Sequence, residues 1–142
     1  MHIADSLLQL YLLYADHANT RVSHSLYVER CSSNPLVQLA IAHQLRLAAE
    51  SELSKSSFSG RVVQADLLRE FEDAVYALSD LLGEDEWFFG QKQPGLFDAS
   101  FFAYAHLILD EEMDWAANPL SEKLSKYRNL VAHRDRIAMM YF

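Results

Sequence analysis

The sequence predicts an all-α protein, a bundle of helices without a sheet. Only seven of its 142 residues are Gly or Pro, against roughly 17 expected from an average usage of about 12% for the pair. Leu and Ala, which lose little side-chain freedom in a helix, together fill 39 positions. A β-sandwich or barrel needs a turn signal every ~8–12 residues, so the composition argues against both. The length and a hydrophobic fraction of 51% favour one domain, residues 1–142, with a packed core.

The first half of the chain predicts three helices separated by polar breaks. Residues 3–18 are apolar on most sides and end at Asn19 and Thr20, and a weaker pattern predicts a helix over residues 21–31. A new helix is predicted to begin at Pro35, because Pro is tolerated in the first turn of a helix and Asn34 can cap it. A long amphipathic helix to about residue 55 follows, with an apolar stripe that recurs every four residues, at Val37, Ile41, Leu45, Ala49 and Leu53.

The second half predicts four more helices. After a polar loop over residues 54–60, a helix over residues 61–82 ends at Gly83, and its apolar stripe is Leu67, Phe71, Val75, Leu78 and Leu82. An aromatic connector, residues 84–95, precedes a helix over residues 96–109 that we expect to be buried on most sides. A short helix near residues 121–126 and a last one near residues 129–140 complete the set.

Net charge and cysteine content limit the partners and the compartment. The chain carries 12 Lys and Arg against 20 Asp and Glu, a net charge of −8 that repels nucleic acid and anionic lipid. Its longest uncharged runs, residues 31–45 and 99–109, are shorter than the ~20 apolar residues that cross a bilayer, so no transmembrane helix is expected. The single cysteine, Cys31, cannot form an internal disulfide and suits a reducing compartment.

Residue patterns for catalysis, cofactors and metals are missing from the sequence. None of the six histidines pairs with another at the i, i+4 spacing of a zinc-binding helix. Asp110, Glu112 and Asp114 imitate the start of a calcium loop, but Trp115 stands where the loop needs Gly and Ser121 where it needs Glu. No Gly-rich phosphate loop or nucleophile elbow is present. We therefore expect no catalytic residue, no cofactor and no metal ion.

Two groups of side chains allow more than one interpretation. The acidic run over residues 110–114 fits a solvated helix exit, with an acidic docking patch for a basic partner as the alternative. The aromatic cluster fits the core, with an exposed protein-docking surface as the alternative, since aromatic residues are enriched at interfaces. That cluster comprises Trp87, Phe88, Phe89, Phe97, Phe101, Phe102 and Tyr104.

One stretch is more specific than composition: Trp87-Phe88-Phe89-Gly90, followed by Pro94-Gly95-Leu96-Phe97-Asp98-Ala99. It resembles the segment of the glutathione transferase C-terminal domain in which an Asp caps the central buried helix. A buried helix start leaves N–H groups without partners, and an Asp three residues in can accept from the N–H of the cap residue. Gly95 replaces the usual Ser or Thr, so Asp98 is expected to carry the cap, and its loss to cost about 1–2 kcal/mol.

The end of the chain extends the resemblance. Asn129-Leu130-Val131, then Arg136-Ile137 and Tyr141-Phe142, are similar to the ending of metaxins and their fungal counterparts in the sorting and assembly machinery of the mitochondrial outer membrane. Ser33-Asn34-Pro35-Leu36-Val37 and Ala42-His43-Gln44-Leu45-Arg46 resemble the fungal members. The resemblance implies a glutathione transferase C-terminal type helical domain that catalyses nothing, with Asn129 and Arg136 as local hydrogen-bond or ion-pair partners.

The same resemblance implies where the protein works. Metaxins act in protein import and β-barrel assembly on the cytosolic side of the outer membrane, with other subunits of a complex as partners, so membrane association would be peripheral or through those partners. The thioredoxin-like domain that normally precedes the helical one is expected to be absent from this chain. The alternatives are the C-terminal domain of a glutathione transferase-like enzyme and a soluble helical adaptor of the kind appended to translation factors.

Overall fold

The computed structural model describes residues 17–56 and 64–142, and every regular element in these ranges is a helix. The all-α prediction is confirmed. In chain order the elements are a 3₁₀ turn at His17–Asn19, α1 (Thr20–Ser23) continued by a π-helical turn at His24–Val28, α2 (Pro35–Ser56), α3 (Gln64–Leu82), a 3₁₀ turn at Phe88–Gly90, α4 (Leu96–Leu109), a 3₁₀ turn at Glu111–Met113, α5 (Pro119–Leu124) and α6 (Arg128–Tyr141). The predicted helix over residues 3–18 lies almost wholly outside the described residues.

The described residues divide between two compact units. Unit 1 combines the part of the chain up to Leu67 with Met113–Ala117, and unit 2 combines Leu68–Glu112 with Asn118–Phe142. In unit 1 the π-helical turn packs against α2, and the core contains Val22, Val28, Ala49 and Leu53. None of the helices in residues 17–56 and 64–142 has the length and apolar character that a bilayer crossing requires.

A side-chain clamp closes unit 1 over a long sequence distance. Asn19 is fully buried, and its Nδ2 donates to the Ala117 carbonyl at 2.8 Å while its Oδ1 accepts from the Ala117 N–H at 3.1 Å. Both polar atoms of the amide are therefore satisfied by one residue of the 113–117 segment, as a buried polar group requires. The helix break predicted at Asn19 is thus also a tertiary contact.

Among the described residues, unit 2 holds the larger set of buried apolar side chains. Within it α4 packs against both α5 and α6. Asn118 links α4 to α5. Its Oδ1 caps α5 by accepting from the Ser121 N–H at 3.1 Å, and its Nδ2 donates to the Ile108 carbonyl of α4 at 2.6 Å. The buried apolar side chains of the unit are Phe71, Val75, Leu82, Trp87, Phe88, Phe101, Phe102, Ala105, Leu120, Leu124, Leu130 and Ile137.

Several predicted features differ from the structure. The chain after Asn19 forms only α1 and a π-helical turn that ends at Val28, and α5 begins and ends about two residues before the predicted span. In α2 the predicted stripe is buried at Ala49 and Leu53, half-buried at Ile41 and Leu45, and exposed at Val37. Helix α4 exposes a single face, formed by Leu96, Ala99, Ser100 and Ala103, and its other ten residues are buried or half-buried, as the prediction of a helix buried on most sides expects.

Candidate functional site

The start of α4 is built around the carboxylate of Asp98. Gly95 is the N-cap, with an extended backbone, and Asp98 is the third helical residue. Its Oδ2 accepts from the Gly95 N–H at 2.8 Å and its Oδ1 accepts from the Phe88 N–H at 3.0 Å. Asp98 therefore satisfies a donor at the helix start and a second donor in the connector, both of which burial would otherwise leave unpaired.

A histidine from α6 completes this site. The Nε2 atom of His133 lies 2.7 Å from Oδ1 of Asp98, and their side chains are 0% and 1% exposed. Because an ionised carboxylate only accepts, Nε2 carries the hydrogen and donates it. The ring is enclosed by three aromatic side chains, with centroid distances of 5.6 Å to Trp87, 5.1 Å to Phe88 and 5.3 Å to Phe101. Its Nδ1 has no partner among the described residues.

Burial and hydrogen bonding set the protonation states of the pair. Burial lowers the pKa of His133, and this effect outweighs the hydrogen bond and charge of Asp98, which act in the opposite direction. Burial also raises the pKa of Asp98, but donation by His133, Gly95 and Phe88 outweighs it, so the pKa of this carboxyl is lowered overall. At neutral pH the pair is therefore a carboxylate beside a neutral imidazole.

The enclosure of the pair decides what it can do. A carboxylate that orients a histidine is one half of a nucleophile-activating arrangement, which also needs a nucleophile within reach of the ring. Here the ring of His133 packs among aromatic side chains, and the pair is almost completely buried. In this conformation the site joins the connector, α4 and α6 by hydrogen bonds.

Arg136, one turn beyond His133, secures the outer side of the connector. Its guanidinium lies over the ring of Trp87, with Cζ 5.3 Å from the ring centroid, and its NH1 donates to the carbonyl of Glu86. Cation–π contacts of this kind contribute about 0.5–1 kcal/mol where solvent reaches them. The structure therefore gives Arg136 a backbone carbonyl and an aromatic face as partners.

Asn129 holds the other end of α6 to the end of α3. Its Nδ2 donates to the carbonyls of Ser79 at 2.9 Å and Gly83 at 3.1 Å, and its Oδ1 accepts from the Ser79 hydroxyl at 2.9 Å. The last carbonyls of a helix have no partner within the helix, so this amide acts as a cap supplied by another element. Gly83, with φ +56°, provides the left-handed turn that ends α3.

The remaining residues of the resemblance are divided between the core and the surface. Leu130 is fully buried, whereas Phe89, Tyr141 and Phe142 are exposed. Gly90 takes a positive φ of 63° in the connector, and Pro94 and Val131 are half-buried. The aromatic cluster is therefore mostly core, as its first interpretation expects, but Phe89 stands outside it.

Sequence reasoning missed the role of His133, which it left among six unassigned histidines. A signal was present, because Leu130, His133 and Ile137 have the i, i+3, i+7 spacing of one helix face, and the two apolar members are buried. A histidine on such a face needs a buried partner.

Within the part of the chain that the structure describes, no group of three or more His, Cys, Asp or Glu could hold a metal ion.

Comparison with known proteins gives matches to two vertebrate metaxins. Human Metaxin-2 is 30% identical over 135 residues, which cover 94% of this chain and 49% of that protein. Mouse Metaxin-2 is 28% identical over 137 residues, again 94% of this chain and 49% of the relative. The chain thus spans about half the length of these curated relatives.

The family described as "Glutathione S-transferase, C-terminal domain" matches residues 71–137, which include Asp98, Asn129, His133 and Arg136. Taken with the helical fold, these matches support a metaxin-like protein with a helical domain of the glutathione S-transferase C-terminal type.

Proposed function

We propose that the chain is a non-enzymatic protein-interaction domain of a metaxin-like subunit that takes part in protein import and β-barrel assembly at the mitochondrial outer membrane, on its cytosolic face. The observation that carries this proposal is the similarity to Metaxin-2 over 94% of the chain. We also propose that residues 1–142 form a single domain of the glutathione transferase C-terminal type.

The chemistry of the site supports an interaction role over catalysis. Asp98 and His133 are enclosed and bonded to each other, and Asn129 binds backbone carbonyls at the end of α3. Each of these polar side chains holds helices in place. The reactive groups of an enzyme must instead touch a substrate, so we assign these residues to the scaffold and the working residues to its surface.

The proposed partners are other subunits of a β-barrel assembly complex, and nucleic acid is not among them. A net charge of −8 repels phosphate backbones, whereas the surface carries exposed large apolar side chains such as Leu96 and Met139. Membrane association is proposed to be peripheral or through these partners.

Fractionation of cells that express the tagged protein tests the proposal. We expect the protein in the mitochondrial fraction, degraded by protease added to intact mitochondria, released by alkaline carbonate, and co-migrating with a β-barrel assembly complex in mild detergent. A cytosolic distribution without mitochondrial association would contradict the proposal and favour a soluble adaptor. Specific retention on immobilised glutathione, lost on competition with free glutathione, would contradict it in favour of a transferase-like protein.

A further inference from the structure

A small apolar surface stands on unit 2 beside the buried site. Phe89, at the end of the connector, is 59% exposed, and Leu96, the first residue of α4, is 86% exposed. Phe97, the residue after Leu96, contacts Phe89, with its ring centroid 5.2 Å from that of Phe89 in an edge-to-face arrangement. We call Phe89, Leu96 and Phe97 the Phe89 patch.

The backbone at Phe89 is unusual for such a side chain. Phe89 has φ 64° and ψ 23°, and Gly90 follows with φ 63°. This left-handed conformation costs a residue with a β-carbon about 1–2 kcal/mol, which Gly avoids and Asn tolerates. Burial of the ring would offset that cost, but more than half of the side chain faces solvent. The strained residue therefore holds an aromatic ring outward instead of completing the core.

Negative charge borders the patch. Glu84, Asp85 and Glu86, which precede it on the connector, are all exposed and form no ion pair with any residue in the described ranges 17–56 and 64–142. The carboxylate of Asp85 lies beside Gly90, the residue after Phe89, since its Oδ2 is 3.5 Å from the position that a β-carbon on Gly90 would occupy. Lys92 is the single cation of the connector. A partner therefore meets apolar rings beside excess negative charge.

We propose that the Phe89 patch is a docking surface for an amphipathic helix whose apolar face is bordered by Lys and Arg. The Phe89 ring and the Leu96 side chain provide apolar anchors of the kind that residues one helical turn apart can grip. The three carboxylates attract the basic border and raise the rate of encounter. The inference deepens the proposed interaction role and rests on it, but its test needs neither mitochondria nor a complex.

The test measures binding of a synthetic amphipathic helix to the purified protein. The probe is a Leu/Lys peptide of about 18 residues, roughly five turns, with Leu on one face. Two comparison peptides serve as controls. In the first, every Lys is replaced by Glu; the second keeps the composition but distributes the Leu residues around the whole helix. Fluorescence anisotropy at low and high salt gives the Kd of each peptide. We expect binding of the Leu/Lys helix alone, weaker at high salt because salt screens the charges.

Variants separate docking from folding. Phe89→Asn removes the ring and suits the left-handed backbone, so we expect an unchanged or higher Tm and a loss of affinity of at least about tenfold. Leu96→Gln removes the second anchor without touching the strained residue. Neutralising the acidic border by Glu84→Gln, Asp85→Asn and Glu86→Gln should reduce the salt dependence. Leu36→Asn, which alters a side chain of unit 1 that is 77% exposed, is the matched control and should bind as the parent does.

Each outcome bears on the proposal. Loss of binding in Phe89→Asn and Leu96→Gln, with Leu36→Asn unaffected, supports it. Equal binding of the Leu/Glu peptide, an unchanged Kd in Leu96→Gln, or binding of the protein to uncharged phosphatidylcholine vesicles in preference to the peptide would overturn it. If the protein is cytosolic yet binds the basic helix at this patch, the mitochondrial proposal fails and the docking surface stands. If the protein is mitochondrial but does not bind the basic helix at this patch, the docking surface is contradicted and the mitochondrial proposal stands.

Discussion

The Asp98 carboxylate serves three donors from separate parts of the chain. The local donor, the Gly95 N–H, belongs to a helix-capping pattern, but the Phe88 N–H and the His133 imidazole approach from 10 and 35 residues away. A buried donor left without a partner costs about 1–3 kcal/mol, and removal of the carboxylate leaves all three of these donors without their acceptor. Removing the Asp98 side chain should therefore destabilise the protein by more than removing an ordinary helix cap.

We predict that Asp98→Ala lowers the free energy of unfolding by about 3–5 kcal/mol, because it leaves the Phe88 and Gly95 amides and the His133 ring unpaired in the core. Urea denaturation monitored by the fluorescence of Trp87 and Trp115 measures this change. Asp80→Ala, at an exposed position of α3, is the control and should change stability by less than about 0.5 kcal/mol. A loss of only about 1 kcal/mol in Asp98→Ala would indicate that the carboxylate acts as a simple cap.

The pH dependence of stability follows from the same pair. The pKa of His133 is lowered in the folded state, so the unfolded chain binds this proton first, and stability should fall as pH decreases below the unfolded value of about 6.5. The pKa of Asp98 is lowered too, so its contribution is lost only at more acidic pH, below about 3.9. Urea midpoints between pH 8 and pH 5 should decrease in the parent and change less in His133→Gln. Equal slopes for the two proteins would contradict this assignment, and His43→Gln, at an exposed position, should keep the parental slope.

Two helix ends are bonded by asparagine side chains from other elements. The Ser79 carbonyl in the last turn of α3 accepts from Asn129, near the start of α6, and the Ile108 carbonyl in the last turn of α4 accepts from Asn118, the N-cap of α5. Each amide belongs to a residue that sequence patterns place at a helix start. The identity of its distant partner depends on how the helices pack, which no local pattern contains.

We predict that Asn129→Ala destabilises the protein by about 1–2 kcal/mol, since it removes two donated hydrogen bonds at the end of α3 and the acceptor of the Ser79 hydroxyl. Hydrogen exchange should increase in the last turn of α3, while the first turns of that helix keep their protection. Asn129→Asp keeps the acceptor but not the donors, and should resemble Asn129→Ala. Gln93→Ala, at an exposed connector position, serves as the unaffected control.

At the scale of the molecule, apolar periodicity predicted α2 and α3 to within a few residues, as well as the stripe of α3, because one face of α3 is buried and the other is polar. It failed for α2, where apolar residues occur on more than one side. The resemblance pointed to Asp98, but the pairing with His133 and the clamp from Asn19 to Ala117 join residues 35 and 98 positions apart. Such contacts follow from packing, so a single sequence contains only their individual residues.

The proposed single domain leads to a prediction about cooperativity. Asn19→Ala removes both hydrogen bonds of the clamp in unit 1 and leaves the Ala117 N–H and carbonyl without those partners, a loss of roughly 2–3 kcal/mol. If residues 1–142 unfold as one cooperative domain, calorimetry should show one transition shifted down by roughly 10 °C and no second peak. Gln44→Ala, an exposed position of α2, should leave the transition in place. A low-temperature peak that appears beside an unshifted one would contradict the single domain, because unit 1 would then be melting by itself.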